Sequence, residues 1–175
     1  VDWDVSVTHK YGDAKAQARA AIERGVDLVA GYGGDGTQHE IANAVVWAAR
    51  HAGRAVTMGV LPGGTGNGFA REVGVPGKLR DAVVLLCTSR NTRAIDVGHL
   101  VGLGQAHVDD RYFIQRVYVG VEPEEQTSRE QKDKYGVFAY AVNMAQRRGD
   151  QKHFRYTVDI DGETGEVDGP KAYLI

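Results

Sequence analysis

The chain has 175 residues, of which 42% are hydrophobic and 25% are charged, a composition that supports a folded core and argues against intrinsic disorder. A net charge of −2 gives no support for nucleic acid as a partner. No apolar run approaches the roughly 20 residues that a membrane-spanning helix needs.

The first half of the chain alternates between strand-like and helix-like segments. Asp13 is predicted to cap the first helix, Gly25 to end it, and Cys87 to be buried in the last one. The predicted elements are a strand over 3–8, a helix over 14–24, a strand over 27–30, a helix from Thr37, a strand over 56–61, and helices over 69–73 and 79–88.

The second half changes in character near residue 92, where β-branched and aromatic residues become more regular. The predicted strands are 93–100, 111–121, 154–161 and a return strand at 165–167, with a charged stretch at 122–134 and an amphipathic helix at 135–148. Asp161 and Gly162 have the sequence of a tight hairpin turn.

Alternation of strands and helices predicts the α/β fold class, with a parallel sheet and with ligands at the carboxyl ends of its strands. We predict an α/β nucleotide-binding domain over 1–92 and an antiparallel, β-sandwich-type substrate domain over 93–175. The chain begins without Met and ends in a strand-like run. We therefore expect the second domain to be incomplete in this chain.

Two glycine-rich loops are the most informative feature of the chain. One reads Gly33-Gly34-Asp35-Gly36-Thr37, and the other reads Leu61-Pro62-Gly63-Gly64-Thr65-Gly66-Asn67. Glycine lets backbone amides approach an anion closely, and a helix N-terminus adds a favourable dipole. Two such loops in one small domain predict a polyphosphate held from two sides, as in a bound nucleotide.

Two common nucleotide-binding motifs are not matched. The segment from Gly31 to Gly36 has the spacing G-x-G-x-x-G, but the next predicted strand does not end in the acidic residue of a dinucleotide site. Neither loop carries the lysine of a P-loop. The loops therefore favour neither a dehydrogenase nor a P-loop NTPase.

Asp35 is the acidic residue inside the first loop. Its carboxylate could close an Asx-type turn, or it could accept a proton from a substrate hydroxyl or help to hold Mg²⁺. Thr37 and Glu40 have the spacing of a capping box, although the hydroxyl and amide of Thr37 would also suit a phosphate. Thr65 and Asn67 could contact phosphate or ribose, and asparagine also tolerates a left-handed turn.

Together these segments resemble the diacylglycerol kinase catalytic domain superfamily, which includes sphingosine, ceramide and bacterial lipid kinases. The resemblance rests on the paired loops, with Glu40 and Asn43 after the first and Phe69-Ala70-Arg71 after the second. It extends to Ile95-Asp96-Val97-Gly98 and to Gly136 with Ala139-Tyr140. It departs at Gly68, where bacterial diacylglycerol kinases usually carry aspartate.

The resemblance implies an enzyme that uses ATP and Mg²⁺ to phosphorylate the primary hydroxyl of a lipid, such as diacylglycerol or a sphingoid base. It implies that Asp35 is catalytic, that Asp96 belongs to a metal network and that Glu122 faces the lipid head group. The nucleotide-contacting positions that it implies are Thr8, Gly33, Gly34, Gly36, Thr37, Glu40, Gly64, Thr65 and Asn67.

The expected partner is a lipid at a membrane surface, because a kinase without a transmembrane segment must visit the bilayer to meet its substrate. We expect a cytoplasmic protein that is peripheral at the membrane, with a homodimer as one compatible assembly. Two alternatives remain open. One is a kinase of a soluble acceptor that resembles NAD kinase, and the other is a non-catalytic, nucleotide-binding regulatory protein.

Overall fold

The computed structural model describes residues 2–100, 111–119, 154–160, 163–169 and 172–174, and the chain divides into two compact units, Val1–Ile114 and Gln115–Ile175. The helices are α1 (Asp13–Arg24), α2 (Asp35–His51), α3 (Gly68–Glu72) and α4 (Leu79–Thr88). The strands are β1 (Leu28–Gly33), β2 (Thr57–Pro62), β3 (Gly98–Leu100), β4 (Arg111–Phe113), β5 (Val117–Val119), β6 (Phe154–Ile160), β7 (Glu163–Gly169) and β8 (Ala172–Leu174).

The first unit contains a parallel strand pair. Strands β1 and β2 pair in parallel, with Leu28 opposite Thr57 and Gly33 opposite Pro62. Helix α2 connects them, as parallel strands require a crossover. The predicted α/β fold class is confirmed, and the two strands end at the same edge, where the glycine-rich loops begin.

Small side chains build the core between the helices and this sheet. Ala44 and Ala48 of α2 have no exposed surface, and Ile22 of α1 is 3% exposed. Because alanine lets helix backbones approach closely, α1 packs against α2 over much of its length. The core cluster consists of Ala14, Ala18, Ile22, Ile41, Ala44, Ala48 and Val56.

Helix α1 is capped by a side chain from another helix. The amides of Gly12 and Lys15 donate to the two carboxylate oxygens of Glu40, at 3.1 and 3.3 Å. The prediction that Asp13 caps this helix is wrong, because its carboxylate turns back and accepts the amides of His9 and Lys10, at 2.8 and 3.0 Å. Glu40, which lies on α2, therefore caps the start of α1, a role that the sequence predicted for Asp13.

An arginine from the α2–β2 connection binds the other end of α1. The guanidinium of Arg54 donates to the carbonyl of Ile22 at 2.7 Å and to that of Val26 at 2.9 Å. It also donates to the carbonyl of Gly25, the left-handed residue that ends the helix. Carbonyls at a helix end lack intrahelical partners, so one planar side chain satisfies several of them.

Three other local predictions are wrong. Residues 2–9 form no strand, and Val5 is 83% exposed. Helix α2 begins at Asp35, so Thr37 lies inside its first turn and Glu40 faces α1 instead of completing a capping box. Cys87 is exposed, because α4 turns Ala82 and Leu86 towards the sheet.

The first compact unit extends beyond the predicted boundary at residue 92. Only the last part of the predicted strand over 93–100 pairs, as β3, and it pairs antiparallel to β4. The side chain of Asn43 pairs with the backbone of Tyr112 in β4, accepting its amide at 2.9 Å and donating to its carbonyl at 2.7 Å. The side chain of Asn43 thus makes the pair of hydrogen bonds with the backbone of β4 that a neighbouring strand would make.

The second unit, in its described residues, consists of two antiparallel strand pairs. Strands β6 and β7 form the predicted hairpin, with Ile160 opposite Glu163, and β5 pairs with β8. The turn at residues 161–162, the charged stretch at 122–134 and the predicted helix at 135–148 lie outside the described residues. The β-sandwich architecture stays a prediction.

Candidate functional site

The two glycine-rich loops lie against each other at the carboxyl ends of β1 and β2. The amide of Gly63 donates to the carbonyl of Gly33 at 3.0 Å, which continues the strand pairing into the loops. Beyond it the backbones of Gly34 and Gly64 pack directly together, and a Cβ on Gly64 would collide with the Cα of Gly34. The predicted convergence of the loops is therefore present, and it depends on the absence of side chains there.

The first loop leads directly into α2 and leaves amides free. The first backbone hydrogen bond of the helix is donated by the amide of Gln38 to the carbonyl of Gly34, at 3.1 Å. In the described part of the chain, the amides of Asp35, Gly36 and Thr37 have no hydrogen-bond partner. Helix α2 is 17 residues long, so these donors lie at the positive end of a full helix dipole.

The side chain of Thr37 folds back over the first loop. A Cβ built on Gly33 would lie 2.5 Å from the hydroxyl oxygen of Thr37. This hydroxyl makes no hydrogen bond among the described residues. The first loop therefore presents three amides and one hydroxyl as donors, which is a set suited to an anion.

The second loop is closed by its own asparagine. Asn67 has a left-handed backbone, with φ of 47°. Its side-chain oxygen accepts the amide of Gly64 at 2.8 Å, and its side-chain nitrogen donates to the carbonyl of Gly64 at 2.7 Å. The position implied for Asn67 as a nucleotide contact is thus also a structural position that sets the shape of the loop.

Asp35 joins the two loops. Its carboxylate oxygens accept the amides of Gly68 at 3.1 Å and Phe69 at 2.9 Å, which are the first two residues of α3. The residue is half-buried at the start of α2. An acid in the first loop therefore caps the helix that follows the second loop. The contact uses the backbone amide of residue 68, so it is made with glycine at this position, where the resemblance expects aspartate.

Arg71 lies on the rim of the second loop. Its guanidinium donates to the carbonyl of Gly66, and the side chain is otherwise exposed. Because a guanidinium carries five N–H donors, most of its hydrogen-bonding capacity faces solvent beside the loops.

A groove runs along β1 and reaches the first loop. Thr8, Tyr32 and Thr37 all line it. The structure therefore brings the implied nucleotide-binding residues Thr8 and Thr37 to one cavity. It also adds Tyr32, which the sequence analysis did not select, although an aromatic residue inside a run of glycines was a visible signal.

Of the residues that the structure describes, the remaining implied site residues do not line this groove. Glu40 is 9% exposed and points its carboxylate at the amides of α1, away from the loops. Asp96 is exposed, without a hydrogen bond or ion pair in the described segments. Glu122 lies outside the described residues. Asn43 was recognised only as part of the resemblance, and its role in holding β4 depends on a contact 69 positions away in the chain.

No group of three or more His, Cys, Asp or Glu side chains that could hold a metal occurs within the described ranges. Mg²⁺ characteristically takes only one or two carboxylates and completes its shell with water and substrate phosphates. Asp35 and Asp96 offer carboxylates of that kind. Within the same ranges, no helix is long and apolar enough to cross a membrane.

Comparison with known proteins places this chain in a family. The diacylglycerol kinase catalytic domain matches residues 1–100, which include both glycine-rich loops. The chain belongs to the diacylglycerol kinase catalytic domain family.

Individual relatives agree with that assignment. A diacylglycerol kinase of Staphylococcus carnosus is 28% identical over 164 residues, which cover 91% of this chain and 49% of the relative. A protein of Enterobacter named "Probable lipid kinase YegS-like" is 38% identical over 96 residues, or 55% of this chain and 31% of that protein. A solved diacylglycerol kinase structure from Bacillus anthracis matches with a TM-score of 0.66 and 26% identity, covering 95% of this chain and 50% of that one.

The chain thus spans about half the length of the Staphylococcus carnosus and Bacillus anthracis proteins.

Proposed function

We propose that the protein is an ATP-dependent lipid kinase that transfers the γ-phosphoryl group to a lipid hydroxyl, such as that of diacylglycerol or a sphingoid base. The observation that carries the proposal is the backbone contact between the two loops, which leaves free amides on α2 beside the carboxylate of Asp35. Phosphoryl transfer needs mainly positioning and charge stabilisation, and this arrangement supplies both. Membership of the diacylglycerol kinase catalytic domain family supports the same function.

In this proposal the first loop is the phosphate cradle. The amides of Asp35, Gly36 and Thr37 and the Thr37 hydroxyl donate to phosphate oxygens, and the dipole of α2 favours their negative charge. Gly34, which has no side chain, lets the phosphate approach the backbone closely. Gly33, Gly64, Thr65 and Asn67 shape the cradle from the second loop and the end of β1. Glu40 acts on the same site indirectly, because it fixes α1 against α2.

Asp35 is proposed to be the residue that accepts the proton of the lipid hydroxyl. Each oxygen of an ionised carboxylate has two acceptor positions, and the amides of Gly68 and Phe69 occupy one on each. One position on each oxygen therefore stays available to a substrate. The same two bonds orient the carboxylate, which is what a base needs before a substrate arrives.

ATP is the proposed donor, with Mg²⁺ held by its phosphates and by the carboxylates of Asp35 and Asp96. When bound, Mg²⁺ neutralises the charge that develops on the phosphate oxygens. Glu122 is proposed to face the lipid head group, at a membrane surface that the protein visits from the cytoplasm. A homodimer remains a prediction.

The experiment that tests the proposal incubates the complete gene product with γ-labelled ATP, Mg²⁺ and phosphatidylcholine vesicles that contain diacylglycerol, sphingosine or neither. Label transferred to lipid only in the presence of one acceptor supports the lipid kinase. Transfer to soluble NAD in a parallel reaction would support the NAD kinase alternative. Tight ATP binding without transfer to any acceptor would support the non-catalytic alternative.

The role of Asp35 is tested by Asp35→Asn, because the amide oxygen still accepts one backbone hydrogen bond but cannot take a proton. We expect kcat to fall by about 100-fold or more, with ATP affinity changed by only a few-fold. Asp81→Asn is the matched control, since Asp81 is an exposed acid in the first turn of α4. Hydrogen exchange of the Gly68 and Phe69 amides separates the roles. Lost turnover while one of the two amides keeps its protection supports the base, whereas faster exchange of both amides with normal turnover contradicts it.

A further inference from the structure

Tyr32 is a large aromatic residue that the fold leaves open at the ligand-binding edge of the sheet. It lies at the end of β1, opposite Leu61 of β2, directly before the first glycine-rich loop. Its exposed fraction is 63%, and its hydroxyl has no hydrogen-bond partner in the described part of the chain. The glycines on either side of it, Gly31 and Gly33, direct their Cβ positions towards α2, so the Tyr32 ring projects from the opposite face of β1.

The ring is held in place by the second loop. A Cβ on Gly63 would lie 2.7 Å from one carbon of the Tyr32 ring and 3.0 Å from two others, so the ring packs against the bare backbone of Gly63. The amide of Gly63 is itself bonded to the carbonyl of Gly33. The ring is therefore oriented before any ligand arrives, at little cost in side-chain entropy on binding.

The groove that this ring lines also includes Thr37 of the first loop. Tyr32, Thr8 and Thr37 line one cavity, and Thr37 is the residue among the first-loop donors that lines it. A ligand in this cavity that contacts the ring can therefore meet the first loop at Thr37. A nucleotide has the two parts that this cavity offers to recognise: an anionic phosphate chain and a planar aromatic base. Stacking on an exposed aromatic ring is a common way in which proteins bind such bases.

We propose that Tyr32 is the aromatic contact for the base of the bound nucleotide. The proposal rests on the proposed function, because it requires that a nucleotide phosphate occupies the first loop. It adds a residue that selects a nucleoside triphosphate over a bare polyphosphate. Gly63 is the supporting position, since any side chain there would displace the ring.

The test measures dissociation constants of the complete gene product for ATP and for inorganic tripolyphosphate, by isothermal titration calorimetry. We expect Tyr32→Ala to weaken ATP binding about tenfold, within the range that base–aromatic stacking contributes, and to leave tripolyphosphate binding within twofold of wild type. Tyr32→Phe should bind ATP as wild type does. Tyr11→Ala is the matched control, because Tyr11 is 80% exposed and does not line the groove.

Four results would overturn the proposal. Unchanged ATP affinity in Tyr32→Ala would show that the ring does not touch the base, and equal losses for ATP and tripolyphosphate would show that it only shapes the loop. A raised KM for the lipid with unchanged ATP affinity would assign the ring to the acceptor. If wild-type protein binds neither ATP nor tripolyphosphate, the proposed function fails together with this one.

A second variant covers the case in which Tyr32→Ala does not fold. Tyr32→Trp keeps a stacking surface and introduces a fluorophore at the proposed contact. We expect its emission to change on addition of ATP but not of tripolyphosphate. An identical response to both ligands, or to neither, contradicts base stacking.

Discussion

The two glycine-rich loops follow neighbouring parallel strands, yet the helices that follow the two loops begin differently. After the first loop, the amides of Asp35, Gly36 and Thr37 at the start of α2 are left without partners among the described residues. After the second, the first two amides of α3 donate to Asp35. Similar sequences thus lead into one helix whose first amides are open to a ligand and one helix whose first amides are bound by a carboxylate.

The difference comes from the residues between the glycines. Asn67 closes the second loop on Gly64, and Asp35 of the first loop reaches across to cap α3. The second loop has no acid of its own that could act in return. Glycine enrichment alone therefore does not decide which helix start stays open to an anion, because an acidic side chain that the fold brings there can bind its amides.

The largest effect is expected where the loops touch. Gly64→Ala places a methyl group against the Cα of Gly34, so the loops must separate. We expect a loss of about 2 kcal/mol in the free energy of unfolding and a fall of about 100-fold in lipid phosphorylation. Urea unfolding and the vesicle assay measure the two effects.

Gly36→Ala is the stability control for that experiment. A Cβ on Gly36 meets no atom within 4 Å, and the residue lies within α2. We expect this change to raise stability by about 0.5–1 kcal/mol, because alanine loses less backbone entropy than glycine in a helix. Equal, mild effects of the two substitutions would contradict the close contact between the loops.

The closure of the second loop is tested at Asn67. Asn67→Ala removes both hydrogen bonds with Gly64 and places alanine in a left-handed conformation, so we expect a loss of about 2 kcal/mol in the free energy of unfolding. Asn67→Gly should recover about 1 kcal/mol of that loss, because glycine adopts this conformation freely. If the two variants are equally stable in urea, backbone conformation contributes nothing here.

In the first loop, loss of the polar side chain of Thr37 should reduce ligand binding and leave stability nearly unchanged. Thr37→Val removes a hydroxyl that has no partner in the described segments, so we expect stability to change by less than about 0.5 kcal/mol. ATP affinity should fall about tenfold, as expected for a lost hydrogen bond to a charged group. Thr37→Ser should restore binding, and a stability loss without a binding loss would place Thr37 with the structural residues.

The smallest effect on stability is expected at Asp13, an acid that accepts two backbone amides as Asp35 does, but through hydrogen bonds that are exposed to solvent. The backbone amide of His9, followed by that of Lys10, lowers the pKa of Asp13 below its ordinary value of 3.8. Because the folded-state pKa is depressed, the stabilisation is present above pH 3.8 and is lost as the pH falls through the lowered folded value. The stability difference between wild type and Asp13→Asn should therefore shrink in acid, whereas a difference that grows in acid would contradict this assignment.

Much of the architecture could be predicted from sequence because the signals were local. Helix α4 occupies the predicted residues 79–88, and the two parallel strands lie within a few residues of their predicted positions. The strand predicted over residues 3–8 was wrong, because alternation of side chains describes a strand's faces but not whether a neighbour is present to pair with it. The capping box predicted to start α2 at Thr37 was also wrong, because the carboxylate of Glu40 binds amides at the start of α1 and α2 begins at Asp35.

What the sequence determined by itself is the fold class, the family and the existence of two loops of bare backbone, since glycine spacing and hydrophobic periodicity act over a few residues. Only the tertiary structure decided which amides stay free, which acid caps which helix, and that Asn43 holds a strand from far along the chain. The physical reason is that a carboxylate or amide side chain satisfies whichever backbone groups the fold brings within about 3 Å, and sequence distance does not set that choice.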